Sequence, residues 1–452
     1  MVGGIASAAD CHAGAARPAP VEKRMSVHPC ALPLPDSGPE PHAMGAEPAF
    51  RYDPFSPEAM VDPQPFYDRL RADHPVYPLP QYRAWALSRF DDVWNAFLDR
   101  DRFTEAEGQV FSRELLTAPA GDAVPEPTLV PLDLFNNLDP PVHGQVRRAM
   151  GASLLPGAVT KMEPMLRDLV RRRLDVLADT GRMDINLDLA SHVSAGAACH
   201  IVGFAQSEIE DAIMLVNRSV ARAPDQPGMT QDGWAAIAEI AARIKHLVVQ
   251  RRDGPVPGDP RMIDGLMAAQ IPGRGPLTDD EITQQLISIL IGGTESLPKV
   301  MAGGLRELWL RPDQRTAAAA DPAAHAASTF EEMVRMFGPA QWFGRTLKQD
   351  AVIAGTAMRA GERVLLLTAS ANRDAREFAD PDTFQWDRPM RRIVAFGMGP
   401  HFCIGIHIAR LEGRLIVEEL LRRFPDYAID EAGGERATSE FQIGWVRLPI
   451  TV

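Results

Sequence analysis

Beyond about residue 50, apolar residues recur every three to four positions along most of the chain, the spacing of helices with one buried face. "GAVTKMEPMLRDLVRRRLDVLADT" (157–180) predicts one such helix, ending before Gly181. Two shorter stretches break the rhythm. From Val76 to Leu87, apolar runs flank "PQYR" and predict a hairpin, and "AVIAGTAMRAGERVLLL" (351–367) reads as strands. The expected fold is mainly α with a small β region drawn from distant parts of the chain, without internal repeats. Residues 1–45, rich in Ala, Pro and Gly, predict a flexible extension, and residues 46–452 a single domain. Cys11, His12, His28 and Cys30 in that extension imitate a metal site by chance grouping.

The longest helical pattern is "LTDDEITQQLISILIGGTESLPKVMAGGLRELWLRPDQ". Thr278 and Glu281 have capping-box spacing, Asp279 and Asp280 complement the positive end of the helix dipole, and Pro312 closes the pattern. About 30 residues at 1.5 Å each span roughly 45 Å. The middle is poorly suited to a plain helix. Gly292 and Gly293 each cost about 1 kcal/mol against alanine, and Pro298 removes a backbone donor to residue 294. Thr294, Glu295 and Ser296 stand among these defects. The segment by itself reads equally as a kinked core helix or as a groove holding a ligand beside an acid and a hydroxyl.

Charge narrows the function classes. The 47 basic and 60 acidic residues give a net −13, which disfavours general affinity for nucleic acid or an anionic membrane. No apolar run reaches bilayer length, and the N-terminus lacks the pattern of a signal peptide, so a cytoplasmic protein without a membrane anchor is expected. Four cysteines at Cys11, Cys30, Cys199 and Cys403 match no zinc spacing and no disulfide scaffold.

Cys403 lies in "FGMGPHFCIGIHIARLEGRL", between glycines and at the mouth of an apolar helical pattern. A thiol there feels the positive end of the dipole and free backbone N–H groups, both of which favour thiolate. The glycines let backbone approach a flat ligand. The run Phe396-Gly397-Met398-Gly399-Pro400-His401-Phe402-Cys403-Ile404-Gly405 resembles the haem-binding loop of the cytochrome P-450 superfamily, and every fixed position of that pattern is met. Glu332-Met333-Val334-Arg335 is similar to the family's Glu-x-x-Arg motif, and "FADPDTFQWDRP" to the meander that precedes the haem loop, with Arg388 completing a structural charge cluster. "NLDPPVHGQVRRAM" resembles the start of a propionate-binding helix bearing His143 and Arg147; Arg345 and His401 match the other propionate positions. Gly292-Gly293-Thr294-Glu295-Ser296 is similar to the oxygen-binding groove, with Ser296 where threonine is usual, and Pro298 and Lys299 also depart from commoner patterns.

The resemblance covers roughly residues 50–452 and implies the family's fold, with haem b held between the long helix and the Cys403 helix. It implies Cys403 as axial iron ligand, Glu295 and Ser296 as the catalytic proton-delivering pair, and Gln341, Trp342 and Phe343 in the substrate pocket. The implied reaction inserts one oxygen atom from O₂ into a hydrophobic small molecule, most simply by C–H hydroxylation. Electrons would come from NAD(P)H only indirectly, through a ferredoxin reductase and a ferredoxin. Arg147, Arg148, Arg410 and Arg414 are expected to offer that ferredoxin a local basic surface, and a monomer is expected. The alternatives are a haem-thiolate peroxygenase or coupling and rearrangement catalyst, and a non-catalytic haem sensor or binding protein.

Overall fold

The computed structural model describes residues 50–117, 131–222, 228–254 and 261–452; the expected 1–45 extension, with its Cys and His residues, lies outside them. Among the described residues, ten helices of nine or more residues carry the architecture. α1 (Gln64–Asp73), α2 (Phe90–Leu98) and α3 (Val142–Gly151) come first, followed by α4 (Glu163–Thr180), α5 (Ser191–Val202) and α6 (Ile209–Val220). α7 (Gln231–Asp253), α8 (Asp279–Leu310), α9 (Pro322–Phe337) and α10 (Ile406–Arg423) complete the set. The helix expected over 157–180 is divided. A short turn, Pro156–Thr160, precedes α4, because Pro164 cannot donate to the carbonyl of Thr160 and suits only a first turn. Its end is as expected, at Gly181 with φ 68°.

The β region gathers segments far apart in sequence. β1 (Val76–Leu79) and β2 (Ala84–Leu87) form the expected antiparallel hairpin, with Val76 opposite Leu87. β3 (Phe103–Thr104), β4 (Arg182–Asp184), β5 (Phe343–Leu347), β6 (Ala351–Ile353), β7 (Thr356–Met358) and β8 (Arg363–Leu366) follow, then β9 (Ala428–Ile429) and β10 (Pro449–Thr451). The larger sheet has the order β1-β2-β8-β5-β3, in which β8 runs parallel to β2 and antiparallel to β5. A second sheet, β9-β10-β4, ties the C-terminal strand to the end of α4.

α8 is the axle of the helical part. Its N-cap is the predicted box: Thr278 N–H donates to Glu281 Oε2 at 2.8 Å, and Thr278 Oγ1 accepts from Glu281 N–H at 3.3 Å. Helix continues through Gly292, Gly293 and Pro298 to Leu310. Proline leaves the Thr294 carbonyl without its helical donor, and the Ser194 hydroxyl of α5 supplies one at 2.9 Å. The expected defect is therefore repaired from the neighbouring helix. α9 packs against both α8 and α10. Its approach to α10 is close enough that a Cβ at Gly413 would lie 2.0 Å from the Phe330 ring, so glycine is required there. Among the described residues, no helix is long and apolar enough to cross a membrane.

Candidate haem site

Two buried charge clusters flank the Cys403 loop. In the first, Glu332 of α9 accepts from Arg335 at 2.7 and 2.8 Å and from Arg388 Nε at 3.0 and 3.1 Å. Arg335 Nη1 also donates to the carbonyls of Asn372 and Pro381, both at 2.8 Å, and Arg388 donates to Ala379, Asp380 and Thr383. The i,i+3 spacing puts Glu332 and Arg335 on one helical face, and the meander wraps their outer side. Buried ions survive when every donor finds an acceptor in this way.

Cys403 itself lies three residues before α10. Its N–H donates to the Phe396 carbonyl at 2.9 Å, and the turn between them needs Gly397 at φ 66° and Gly399 at φ 71°. A Cβ on Gly399 would stand 2.7 Å from the Phe97 carbonyl oxygen, so α2 closes down on the loop. Burial pushes the thiol up, while the Gly405 N–H and the nearby Arg147 guanidinium pull it down.

The second cluster is unlike the first. His143 and His401 stack with ring centroids 3.9 Å apart, and Arg147 donates to the Phe402 carbonyl beside the thiol. Arg345 of β5, 2% exposed, reaches Glu105 at 2.9 Å and lies over the Phe97 ring. Nε2 of His143 and both ring nitrogens of His401 make no well-formed hydrogen bond; His401 has a loose backbone contact at Leu138, and Glu105 comes no closer than 3.7 Å to it. Burial, with Arg147 beside it, pulls His143 down to about 4. Burial, with His143 and the Arg345 and Arg147 guanidinium groups close by, pulls His401 down to about 2. Both rings are therefore neutral at pH 7, and the guanidinium groups carry the charge. Glu105 is pushed up to about 7, chiefly by burial against the opposing pull of Arg345. Buried, unpartnered ring nitrogens beside two guanidinium groups fit a group that brings its own carboxylates, as haem propionates do.

On α8, Gly292 and Gly293 are exposed within a helix otherwise largely buried, and the Ser296 hydroxyl turns back to the Gly292 carbonyl at 3.3 Å. Glu295 pairs through Oε1 with Lys299, leaving Oε2 buried without a partner. Gln341 and Trp342 open on no water-sized space. Gln341 accepts from Tyr67 and donates to the Ser439 carbonyl, both at 2.8 Å, and Trp342 Nε1 donates to the Glu440 carbonyl at 2.8 Å. They anchor the C-terminal segment; of the three residues expected in the pocket, only Phe343 is partly exposed.

The expected basic docking surface is smaller than the sequence implied. Arg410 is paired with Glu331, Arg414 with Glu163 and Glu418, and Arg147 is turned inward, which leaves Arg148 exposed. Arg410 and Arg414 line a surface groove of about 410 Å³ between α9 and α10. Glu105 and Lys299 had no reading of their own as members of the site. "RFTEAEGQV" carries no motif for the first, and the i,i+4 spacing of Glu295 and Lys299 was the available signal for the second.

A cysteine loop, a buried set of unpaired donors and a long helix bearing an acid define a haem-thiolate type of site. The family model described as Cytochrome P450 matches residues 326–448, which contain both the Glu332 cluster and the Cys403 loop. Cytochrome P450 130 of Mycobacterium tuberculosis is 31% identical over 384 residues, covering 83% of this chain and 91% of that one. Vitamin D(3) 25-hydroxylase of Pseudonocardia autotrophica is 28% identical, covering 89% and 96%. Among solved structures, cytochrome P450 CYP109Q5 from Chondromyces apiculatus superposes with TM-score 0.75 and 26% identity over 88% of this chain and 97% of that one. The chain belongs to the cytochrome P450 family of haem-dependent monooxygenases.

Proposed function

We propose that this enzyme hydroxylates a C–H bond of a hydrophobic small molecule, using haem b and electrons passed from NAD(P)H through a ferredoxin reductase and a ferredoxin. The observation that carries the haem assignment is the pairing of the Cys403 loop with buried donors that lack acceptors. Bound there, the haem iron supplies the activation of O₂. Cys403 would hold the haem iron through its sulfur, with the Gly405 N–H and Arg147 opposing the burial that pushes its thiol up. His143, Arg147, Arg345 and His401 hold the propionates. A carboxylate entering the cluster gives the two imidazoles the acceptors they lack and competes with Glu105 for Arg345.

Glu295 and Ser296 move protons along α8 through water, with the exposed glycines leaving room beside the helix. Ser296 must first release the Gly292 carbonyl, since its one hydroxyl proton is otherwise engaged there. The apolar stretch Leu286–Ile291 limits water on the approach to these groups. A relative named for hydroxylation of vitamin D(3) supports an apolar, multi-ring or long-chain substrate class. The acid retained at Glu295 supports the O₂-dependent reaction over one driven by peroxide, which already carries the protons.

The decisive measurement is the absorption spectrum of the reduced enzyme with CO. The red-shifted Soret band of thiolate-ligated haem is expected in the wild type and its loss in Cys403→His; its absence from folded wild-type enzyme refutes the assignment. Screening apolar compounds for a shift in spin state, then measuring product with ferredoxin and reductase, tests the rest. NADH consumption without product from any spin-shifting compound would favour a haem-binding protein without turnover.

A further inference from the structure

Lys299 is one helical turn beyond Glu295, and both are buried, at 4% and 8% exposure. Its ammonium contacts Glu295 Oε1 and lies 3.4 Å from the Glu295 carbonyl oxygen. Glu295 Oε2 has no partner. The lysine stem is held from the other side: a Cβ at Gly444, which has φ 128°, would lie 3.0 Å from Lys299 Cβ and 3.4 Å from its Cγ. The C-terminal segment thus walls the stem against α8. Pro298 and Ser194 fix the turn that carries both residues.

A buried carboxyl alone favours its neutral form, and a buried amine likewise. Placed together, the two form an ion pair. An ammonium engages through single point contacts, unlike a guanidinium fork, which takes both oxygens of a carboxylate at once. Lysine at this position therefore fixes the acid while leaving one oxygen open.

We propose that Lys299 is a positioning residue for proton delivery: it holds Glu295 in place through Oε1 and keeps Oε2 as the single oxygen that exchanges protons with water. Oε2 accepts a proton from one water and passes it to the next, and Glu295 returns to the carboxylate paired with Lys299. The inference rests on the proton-delivering role proposed above for Glu295.

Four variants of the holoenzyme test it: Lys299→Met, Lys299→Arg, Glu295→Gln and the double variant Glu295→Gln/Lys299→Met. The first readout is the infrared absorption of protonated carboxyl groups in the resting enzyme. Lys299→Met should gain a further band that neither wild type nor the double variant shows, over the absorption that Glu105 and Glu412 give in all of them. The second readout is product formed per NADH with a spin-shifting compound. Lys299→Arg keeps the charge and should keep the fold, yet its fork occupies Oε2, and coupling should fall roughly a hundredfold, at the low end of what proton transfer by a positioned group contributes. A merely structural lysine predicts full rescue by arginine. Wild-type coupling in Lys299→Arg, or no new band in Lys299→Met, overturns the proposal while Glu295→Gln still uncouples. Wild-type coupling in Glu295→Gln instead overturns the reading of Glu295 itself. If Lys299→Met fails to retain haem, the arginine variant alone decides.

Discussion

The Glu332 cluster and the His143–His401 cluster are both buried and both built from cationic groups, but one is finished and the other is not. Glu332 receives both arginines, and the remaining guanidinium N–H groups reach the carbonyls of the meander. Around His401, two stacked imidazoles leave three ring nitrogens without partners, with a single carboxylate, Glu105, for Arg345. A complete network rigidifies the fold; an incomplete one marks where another molecule supplies the missing acceptors. The contrast separates structural charge from binding charge, although residue types alone would not.

Breaking the finished cluster should have the largest effect. Glu332→Ala strands two buried guanidinium groups, with an expected loss of about 3–5 kcal/mol. Thermal melting and the CO spectrum should show little folded, haem-loaded protein. In the unfinished cluster, removing a donor should spare the fold and weaken retention of haem. Arg345→Met forfeits a charge-assisted contact of about 1.5–3 kcal/mol, so haem transfer to an acceptor globin should accelerate by roughly ten- to a hundredfold. Equal damage to melting in both variants would erase the distinction.

The repair of α8 gives a smaller effect. Ser194→Ala leaves the Thr294 carbonyl without a donor and should cost about 1–2 kcal/mol. In a Pro298→Ala background the helix supplies that donor, and the cost should largely vanish, as a double-mutant cycle by thermal melting would register.

The smallest effect concerns a partly exposed ionic ladder between α4 and α10. Burial pushes Glu418 and Glu419 up, but hydrogen bonds from Arg167, with Arg422 and Arg171, more than offset this and hold both carboxyls below the glutamate range. Because the folded values lie below the unfolded ones, the stabilisation is complete above about pH 4.3 and fades as pH falls through the folded values. Arg167→Met should therefore melt lower than wild type at about pH 7, by no more than about 1 kcal/mol, with the gap closing in acid.

Much of this was legible in the chain. The capping box of α8, the hairpin over Val76–Leu87 and the Cys403 loop follow from local rules: side-chain spacing, turn chemistry and glycine at positive φ. The division at Pro164 was also within reach of those rules but was hidden by continuous apolar spacing across it. Gln341 and Trp342 were harder to read. An apolar or amide side chain fits a pocket wall as well as a strut, and only their bonds to Ser439 and Glu440 identify them as struts.

The sequence by itself determined the family, the mainly helical fold and the set of residues eligible for the site, because these depend on motifs and periodicities within short windows. Tertiary structure decided which charges are spent and which are available. Arg410 and Arg414 are neutralised by partners on other helices, Ser194 repairs a proline over a hundred residues away, and Gly444 holds Lys299 against Glu295. Hydrogen-bond saturation is a property of neighbours in space, and only the folded chain sets those neighbours.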